Sequence, residues 1–246
     1  RKLRRRLTFA GVEEAVLNVE RKLYNSIFKL DEAPEISLSE LKSELNAILK
    51  KVEEDYHGLF SNELRDFIAK VNVFGYHFAS LDIRQDLRVH HDAFLTLLEQ
   101  TNKTGITDAS FDYKNASEAE RISFLTSLTG DVDPDSFEDE TVRKALGSIR
   151  AMKEIQQTNG EAGSNRYIIS NNQTAQNIFE VFAMIRLSDW EAPSVDVVPL
   201  FETIPDLKIA LEVMDKVYSN PVYREHLAHR GNKQTIMLGF SDGTKD

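Results

Sequence analysis

From Gly160 onward, short apolar, β-prone runs alternate with longer helical segments, and this alternation restricts the fold more than any other feature. Arg166-Tyr-Ile-Ile-Ser170 reads as a strand and Thr174–Leu187 as a helix. Val195-Asp-Val-Val-Pro-Leu-Phe201 reads as the next strand, followed by helices over Asp206–Val217 and around Val222–Ala228. A third strand closes the series at Gln234–Phe240, and its apolar run Ile236–Phe240 reads as buried. Strands separated by helices of ten or more residues are joined by crossovers rather than hairpins, so the pattern predicts parallel βαβ units.

The upstream half is richer in helix. Val12–Phe28 carries apolar residues at positions 12, 15, 16, 19, 23, 24 and 27, the spacing of an amphipathic helix. Asp31–Ser37 is a linker in which Pro34 blocks helix. Ser37 with Glu40 makes a capping-box pattern before Leu41, Leu45, Ile48, Leu49 and Val52, and Asn62–Val71 is a third helix ending before Gly75. These helices carry no polar constellation that calls for chemistry and read as scaffold. Tyr76–Ile83, aromatic and sparsely charged, reads as a strand running directly into Arg84-Gln-Asp, with a helix over His90–Leu98. Thr101–Asn115 reads as loop and Gly130–Asp135 as an acidic turn; Ser117 with Glu120 caps another helix, and Thr141–Gln156 is helical by spacing.

Bulk properties exclude several classes. The 246 residues hold 30 Lys and Arg against 40 Asp and Glu, a net charge of −10, which argues against nucleic acid or an anionic membrane as the main partner. No run of about 18 apolar residues is present to span a bilayer. The basic start, Arg1-Lys-Leu-Arg-Arg-Arg6, lacks the apolar core of a signal peptide and reads as the solvated beginning of a helix. Zero cysteines exclude a disulfide framework and thiolate metal sites, and fit a reducing interior. With no initiator Met and a polar cluster directly after the last strand, the chain reads as a segment of a longer protein cut inside a site.

Four predicted strands finish in polar groups: Arg84 and Gln85, Ser170 to Asn172, Glu202 and Thr203, and Ser241 to Lys245. If the strands are parallel neighbours, these groups gather at one edge, where α/β proteins collect catalytic residues. Glu202 and Asp242 then lie near Arg84 and Lys245. Hard oxygen donors beside cations suit Mg²⁺ or Mn²⁺ and a phosphorylated substrate. Taken singly, each has a plainer reading: a helix N-cap for Glu202 or Asp242, a structural ion pair for Arg84, a solvated side chain for Lys245. Other candidates lose on geometry. His90 and His91 are adjacent and diverge by about 100° on a helix. His226 and His229 have chelating spacing without a third ligand, and are expected to be exposed. Gly160, Gly163 and Gly231 make no phosphate loop, and no Gly-x-Ser-x-Gly element is present.

The elements Leu81-Asp-Ile-Arg-Gln85 with His90, Tyr167-Ile-Ile-Ser170, Val198-Pro-Leu-Phe-Glu-Thr203 and Met237-Leu-Gly-Phe-Ser-Asp-Gly-Thr-Lys-Asp246 occur in an order and spacing that resemble the phosphoenolpyruvate carboxylase family. The resemblance implies a helix-rich α/β chain: a helical scaffold over residues 1–73 and, over 74–246, a partial (β/α)₈ TIM-type barrel with added helices. It implies the carboxylation of phosphoenolpyruvate with bicarbonate to oxaloacetate and phosphate, with Mg²⁺ or Mn²⁺, in a cytoplasmic homotetramer. Carried over residue by residue, Glu202 and Asp242 are metal ligands, Arg84 meets the substrate phosphate, and Lys245 helps hold bicarbonate. Leu87, Asn171, Phe240 and Gly243-Thr244 depart from the family's usual residues (Ser, Met, Tyr and Ser-Gly or Ser-Ala), but none removes a charged group. The family's essential histidine lies upstream and its glycine-rich loop and further arginines downstream, so the segment alone is expected to be inactive. Two competing readings are another phosphoenolpyruvate- or pyruvate-using barrel and a non-catalytic helical interaction module.

Overall fold

The computed structural model describes residues 9–29 and 34–239. The chain divides into two compact units, Arg1–Ser80 with Gln156–Gly163, and Leu81–Ile155 with Ser164–Asp246. The first unit is built on α1 (Val12–Phe28), α2 (Leu38–Asp55) and α3 (Ser61–Phe74). The predicted capping box starts α2: the Ser37 hydroxyl accepts from the Glu40 N–H at 3.2 Å, and the Glu40 carboxylate accepts from the Ser37 N–H at 2.8 Å. Leu41, Leu45, Ile48 and Val52 recur at helical spacing and bury against Val19, Ile36, Ile68 and Val71.

The strand expected over Tyr76–Ile83 is displaced toward the C-terminus. The chain instead turns after α3, with Gly75 and Phe78 at φ 51° and 61° and the Phe78 N–H bonded to the Phe74 carbonyl at 2.7 Å. The Tyr76 hydroxyl is drawn back to the Ile36 carbonyl at 3.1 Å. The strand is β1, Asp82–Asp86, so Arg84 and Gln85 lie within it rather than after it.

The second unit contains β1, α4 (Leu87–Thr104), α5 (Glu118–Ser127), α6 (Glu140–Asn159, whose last residues count with the first unit), β2 (Arg166–Ser170) and α7 (Ala175–Arg186). It continues with β3 (Asp196–Phe201), α8 (Ile204–Ser219), α9 (Pro221–His229) and β4 (Met237–Leu238). The Ser117–Glu120 capping box opens α5 as expected. The predicted loop from Thr101 begins later, because α4 continues to Thr104 before Gly105 closes it at φ 75°.

Among the described residues the four strands are parallel and lie in the order β1-β2-β3-β4, the order of the chain. With right-handed crossovers, a sheet built in sequence order receives its helices on one face, and the side chains sort accordingly. Tyr167, Ile169, Val195, Val197 and Phe201 enter a large core with residues of α4 to α9. Ile168, Val198 and Leu200 point the other way and form a small separate cluster with Met237. At the centre of the main core is α7, buried from Ala175 to Ile185 although it carries polar residues, and its buried Glu180 is met by Gln176, Tyr113 and His91 at 2.7, 2.8 and 2.9 Å.

At the N-terminal end of β3, Asp196 and Arg230 are both almost fully buried and pair through both carboxylate oxygens, each at 3.2 Å. The Thr235 hydroxyl and Gln234 amide also donate to Asp196, at 2.5 and 3.2 Å. These bonds hold the approach to β4, which begins at Met237 rather than at the predicted Gln234 because Gln234 and Thr235 are engaged outside the ladder; Ile236 and Leu238 are exposed rather than buried, and Phe240 lies outside the described residues. Removing one partner leaves a buried charge uncompensated. Asp196→Ala is therefore expected to lower the unfolding free energy by about 3 kcal/mol, measured by chemical denaturation.

Candidate active site

Parallel register decides which side chains share a face. Arg84 pairs with Ile168, and Ile168 with Val198, so Arg84 lies on the face away from the helices. Ser170 stands two residues beyond Ile168 on that same face, and Glu202 two residues beyond Leu200. Arg84, Ser170 and Glu202 therefore meet at the C-terminal rim of neighbouring strands. The Arg84 Nε–H donates to Ser170 Oγ at 2.7 Å, and Nη2 donates to Glu202 Oε1 at 3.1 Å. The Glu202 side chain is 13% exposed and that of Arg84 is 55% exposed, so the guanidinium projects from a mostly buried carboxylate toward solvent.

The local sequence explains why Glu202 is available. The cap of α8 is Thr203, whose hydroxyl accepts from the Asp206 N–H at 3.3 Å while Asp206 accepts from the Thr203 N–H at 3.0 Å. Pro205 then starts the helix without a wasted donor. Glu202 is thus left out of the capping chemistry that offered its plainer reading. Arg84, for its part, does make an ion pair, and its partner is another proposed site residue.

Beside Arg84, Asp86 caps α4 through the Arg88 N–H at 2.9 Å and accepts the Arg88 guanidinium and the Asn171 amide, at 2.9 and 2.7 Å. The Arg88 hydrogen bond, with the other donors, holds the Asp86 carboxyl down at about 2. Asn171, a departure from the family's usual Met, takes φ 58°, a left-handed conformation that Asn tolerates well. The other departure in the described part, Leu87, packs against the main core.

Two of the four site residues expected from sequence are therefore brought together, Arg84 and Glu202, while Asp242 and Lys245 lie outside the described residues. Glu202 is a hard oxygen donor whose Oε2 has no partner among the described residues, which suits Mg²⁺ or Mn²⁺. No group of three or more His, Asp or Glu able to hold a metal occurs among the described residues.

The histidines part as expected at one place and not at another. His90 is buried against Tyr167, with ring centroids 5.3 Å apart, and burial lowers its pKa to about 4. His91 instead reaches Glu180 at 2.9 Å. His229 is exposed, but His226 is buried between Phe182 and Tyr223, contrary to the expectation for both, and burial lowers its pKa to about 4. Its place one turn from buried Tyr223 was the available sequence signal. Ser170 was visible only as part of a polar strand end; its contact with Arg84 depends on register that the sequence does not display.

A sheet wound in chain order, apolar against helices on one side and bearing an arginine and a carboxylate at its C-terminal rim, defines an α/β protein of the kind that places ligand chemistry at strand ends. The family model for phosphoenolpyruvate carboxylase matches residues 4–246, and the chain belongs to that family. The phosphoenolpyruvate carboxylase of Nitrosomonas europaea is 30% identical over 263 aligned residues, covering 98% of this chain and 27% of that protein. The phosphoenolpyruvate carboxylase of Xanthomonas euvesicatoria is 32% identical over 216 residues, covering 85% of this chain and 23% of that protein. The chain thus spans about a quarter of the length of the curated relatives it matches. Among the described residues, no helix is long and apolar enough to cross a membrane.

Gly239 locks the rim from the β4 side. Its N–H donates to the Phe201 carbonyl at 2.9 Å, and a Cβ built on it would stand 2.8 Å from Glu202 Cα and 3.1 Å from the Glu202 carbonyl oxygen. Both neighbours are backbone and cannot swing away. Gly239→Ala is expected to push β4 from β3 and lower stability by about 1–3 kcal/mol, read from denaturation midpoints, with a lengthened Arg84–Glu202 contact in a crystal structure of the variant.

Proposed function

We infer that the intact protein containing this segment carboxylates phosphoenolpyruvate with bicarbonate, giving oxaloacetate and phosphate. In this reading the sheet is part of a (β/α)₈ barrel over residues 74–246, preceded in the sequence by a helical scaffold over 1–73, in a cytoplasmic homotetramer. The observation that carries it is the meeting of Arg84 and Glu202 on one strand-end rim, within a chain that the family model matches almost throughout.

Each role follows from the chemistry of the group. The guanidinium of Arg84 presents a planar fork that fits phosphoryl oxygens and orients phosphorus for attack by a bicarbonate oxygen. That attack forms carboxyphosphate as the phosphorus–oxygen bond to the enol breaks, leaving the electron pair on the enolate. Carboxyphosphate then releases CO₂ and phosphate, and the enolate carbon bonds to CO₂. Glu202 and Asp242 are proposed to hold the divalent cation, which when bound supplies positive charge for the enolate oxygen. Lys245 is proposed to steady bicarbonate beside the phosphoryl group.

The 246 residues on their own are expected to be inactive. A coupled assay with phosphoenolpyruvate, bicarbonate and Mg²⁺ checks this, and oxaloacetate formed by the purified segment would refute it. In the full-length protein, Arg84→Ala is expected to lower kcat/KM for phosphoenolpyruvate by about 10²–10³-fold, the scale of losing a charge-stabilising donor, without a change in melting temperature. Unchanged kcat/KM would remove Arg84 from the site.

A further inference from the structure

We propose that Ser170 is a positioning residue that sets the direction in which the Arg84 guanidinium meets the substrate phosphate; this rests on the phosphate-binding role given to Arg84 above.

A guanidinium offers two forks. One edge is formed by Nε–H and the neighbouring Nη2–H, the other by Nη1 and the remaining Nη2 hydrogen. The first edge is taken: Nε–H by Ser170 Oγ at 2.7 Å and Nη2 by Glu202 Oε1 at 3.1 Å. Among the described residues the second edge meets no partner, which leaves it for a bidentate contact with two phosphoryl oxygens. The two anchors differ in rigidity and in exposure. Ser170 is 8% exposed, at the end of a strand paired on both sides, and its short side chain places Oγ within a narrow volume. Arg84 has a long, flexible side chain that is 55% exposed, so its direction needs an anchor.

Ser170 also sets what Glu202 can do to Arg84. With Nε–H held by the serine, Glu202 engages the guanidinium through a single oxygen. Without the serine, Nε–H and Nη2–H together match a carboxylate, and the favoured alternative is a bidentate pair with both Glu202 oxygens. That rearrangement rotates the open fork away from the position at which phosphate meets it. Ser170 thus acts through Arg84 without touching substrate.

The test uses the full-length protein with Ser170→Ala, Ser170→Thr, Arg84→Ala and the Ser170→Ala/Arg84→Ala double variant. KM and kcat are measured for each substrate, with calorimetric titration of phosphoenolpyruvate in the absence of bicarbonate. Ser170→Ala is expected to weaken phosphoenolpyruvate binding and raise its KM by about tenfold, the scale of one hydrogen bond to a charged group, with KM for bicarbonate and the melting temperature unchanged. Ser170→Thr restores most of the loss, and in the Arg84→Ala background Ser170→Ala adds nothing further. Should Ser170→Ala not fold, Ser170→Cys, of similar size and a weaker acceptor, is expected to show the same selective loss. If Arg84→Ala is severe but Ser170→Ala matches wild type, the positioning role is wrong and the phosphate role of Arg84 stands. If Arg84→Ala has no effect, both fall. A loss from Ser170→Ala that persists undiminished in the Arg84→Ala background, or that follows a lowered melting temperature and is not restored by Thr, assigns Ser170 to structure and overturns the proposal.

Discussion

Parallel pairing is the constraint from which the rest of the second unit follows. Two parallel strands cannot be closed by a tight turn, so each step from β1 to β4 spends a crossover, and those crossovers supply α4 to α9. The crossovers cover one face, where Tyr167, Ile169, Val197 and Phe201 are buried, each side chain contributing about 1.5–3 kcal/mol. Because side chains alternate across a strand, this burial also fixes the opposite face. A slip of one residue would drive Arg84 and Glu202 toward the helices and expose the aromatic rings. The rim chemistry is thus held in place by apolar burial on the far side of the same strands.

The two ends of β3 show the same pair of charges used in opposite ways. At the N-terminal end, Asp196 and Arg230 are closed off from water, bidentate, and surrounded by Gln234 and Thr235. At the C-terminal end, Glu202 meets Arg84 through one oxygen and the guanidinium is largely exposed. An ion pair that open contributes at most about 1 kcal/mol to stability, so the fold does not depend on it. Freedom to exchange partners is what a ligand site requires, and a closed pair like Asp196–Arg230 would lack it.

Much of this architecture was legible because it is local. The strands at Arg166–Ser170 and Val195–Phe201, the helix between them, and the capping boxes at Ser37 and Ser117 are all written in short-range spacing. β1 was misplaced because its residues, Asp82-Ile-Arg-Gln-Asp86, are mostly polar and become a strand through pairing with β2, while the β-prone aromatics before it are turned aside at Gly75 and Phe78. Register likewise hides the site. Arg84 and Glu202 are separated by 118 residues and were joined only by assuming parallel neighbours, whereas Ser170, the closest anchor of Arg84, has no distinguishing mark in the sequence. His226 is hidden for a different reason: its spacing to His229 resembles a chelating pair, whereas its burial depends on packing beside Tyr223 and Phe182.

Charge balance at the rim bears on where the function resides. Among the described residues Arg84 faces Glu202, and Arg88 faces Asp86, two cations against two carboxylates. Asp86 does not escape this balance by taking up a proton, because its three donors keep it ionised down to about pH 2. Asn171, held in its left-handed turn, supplies one of those donors and keeps Asp86 aligned on the cap of α4. A phosphorylated carboxylic acid, anionic at both ends, gains little net Coulomb attraction from so balanced a rim. Its binding needs positive charge beyond these four side chains, which Lys245 and a divalent cation at Glu202 and Asp242 are proposed to bring.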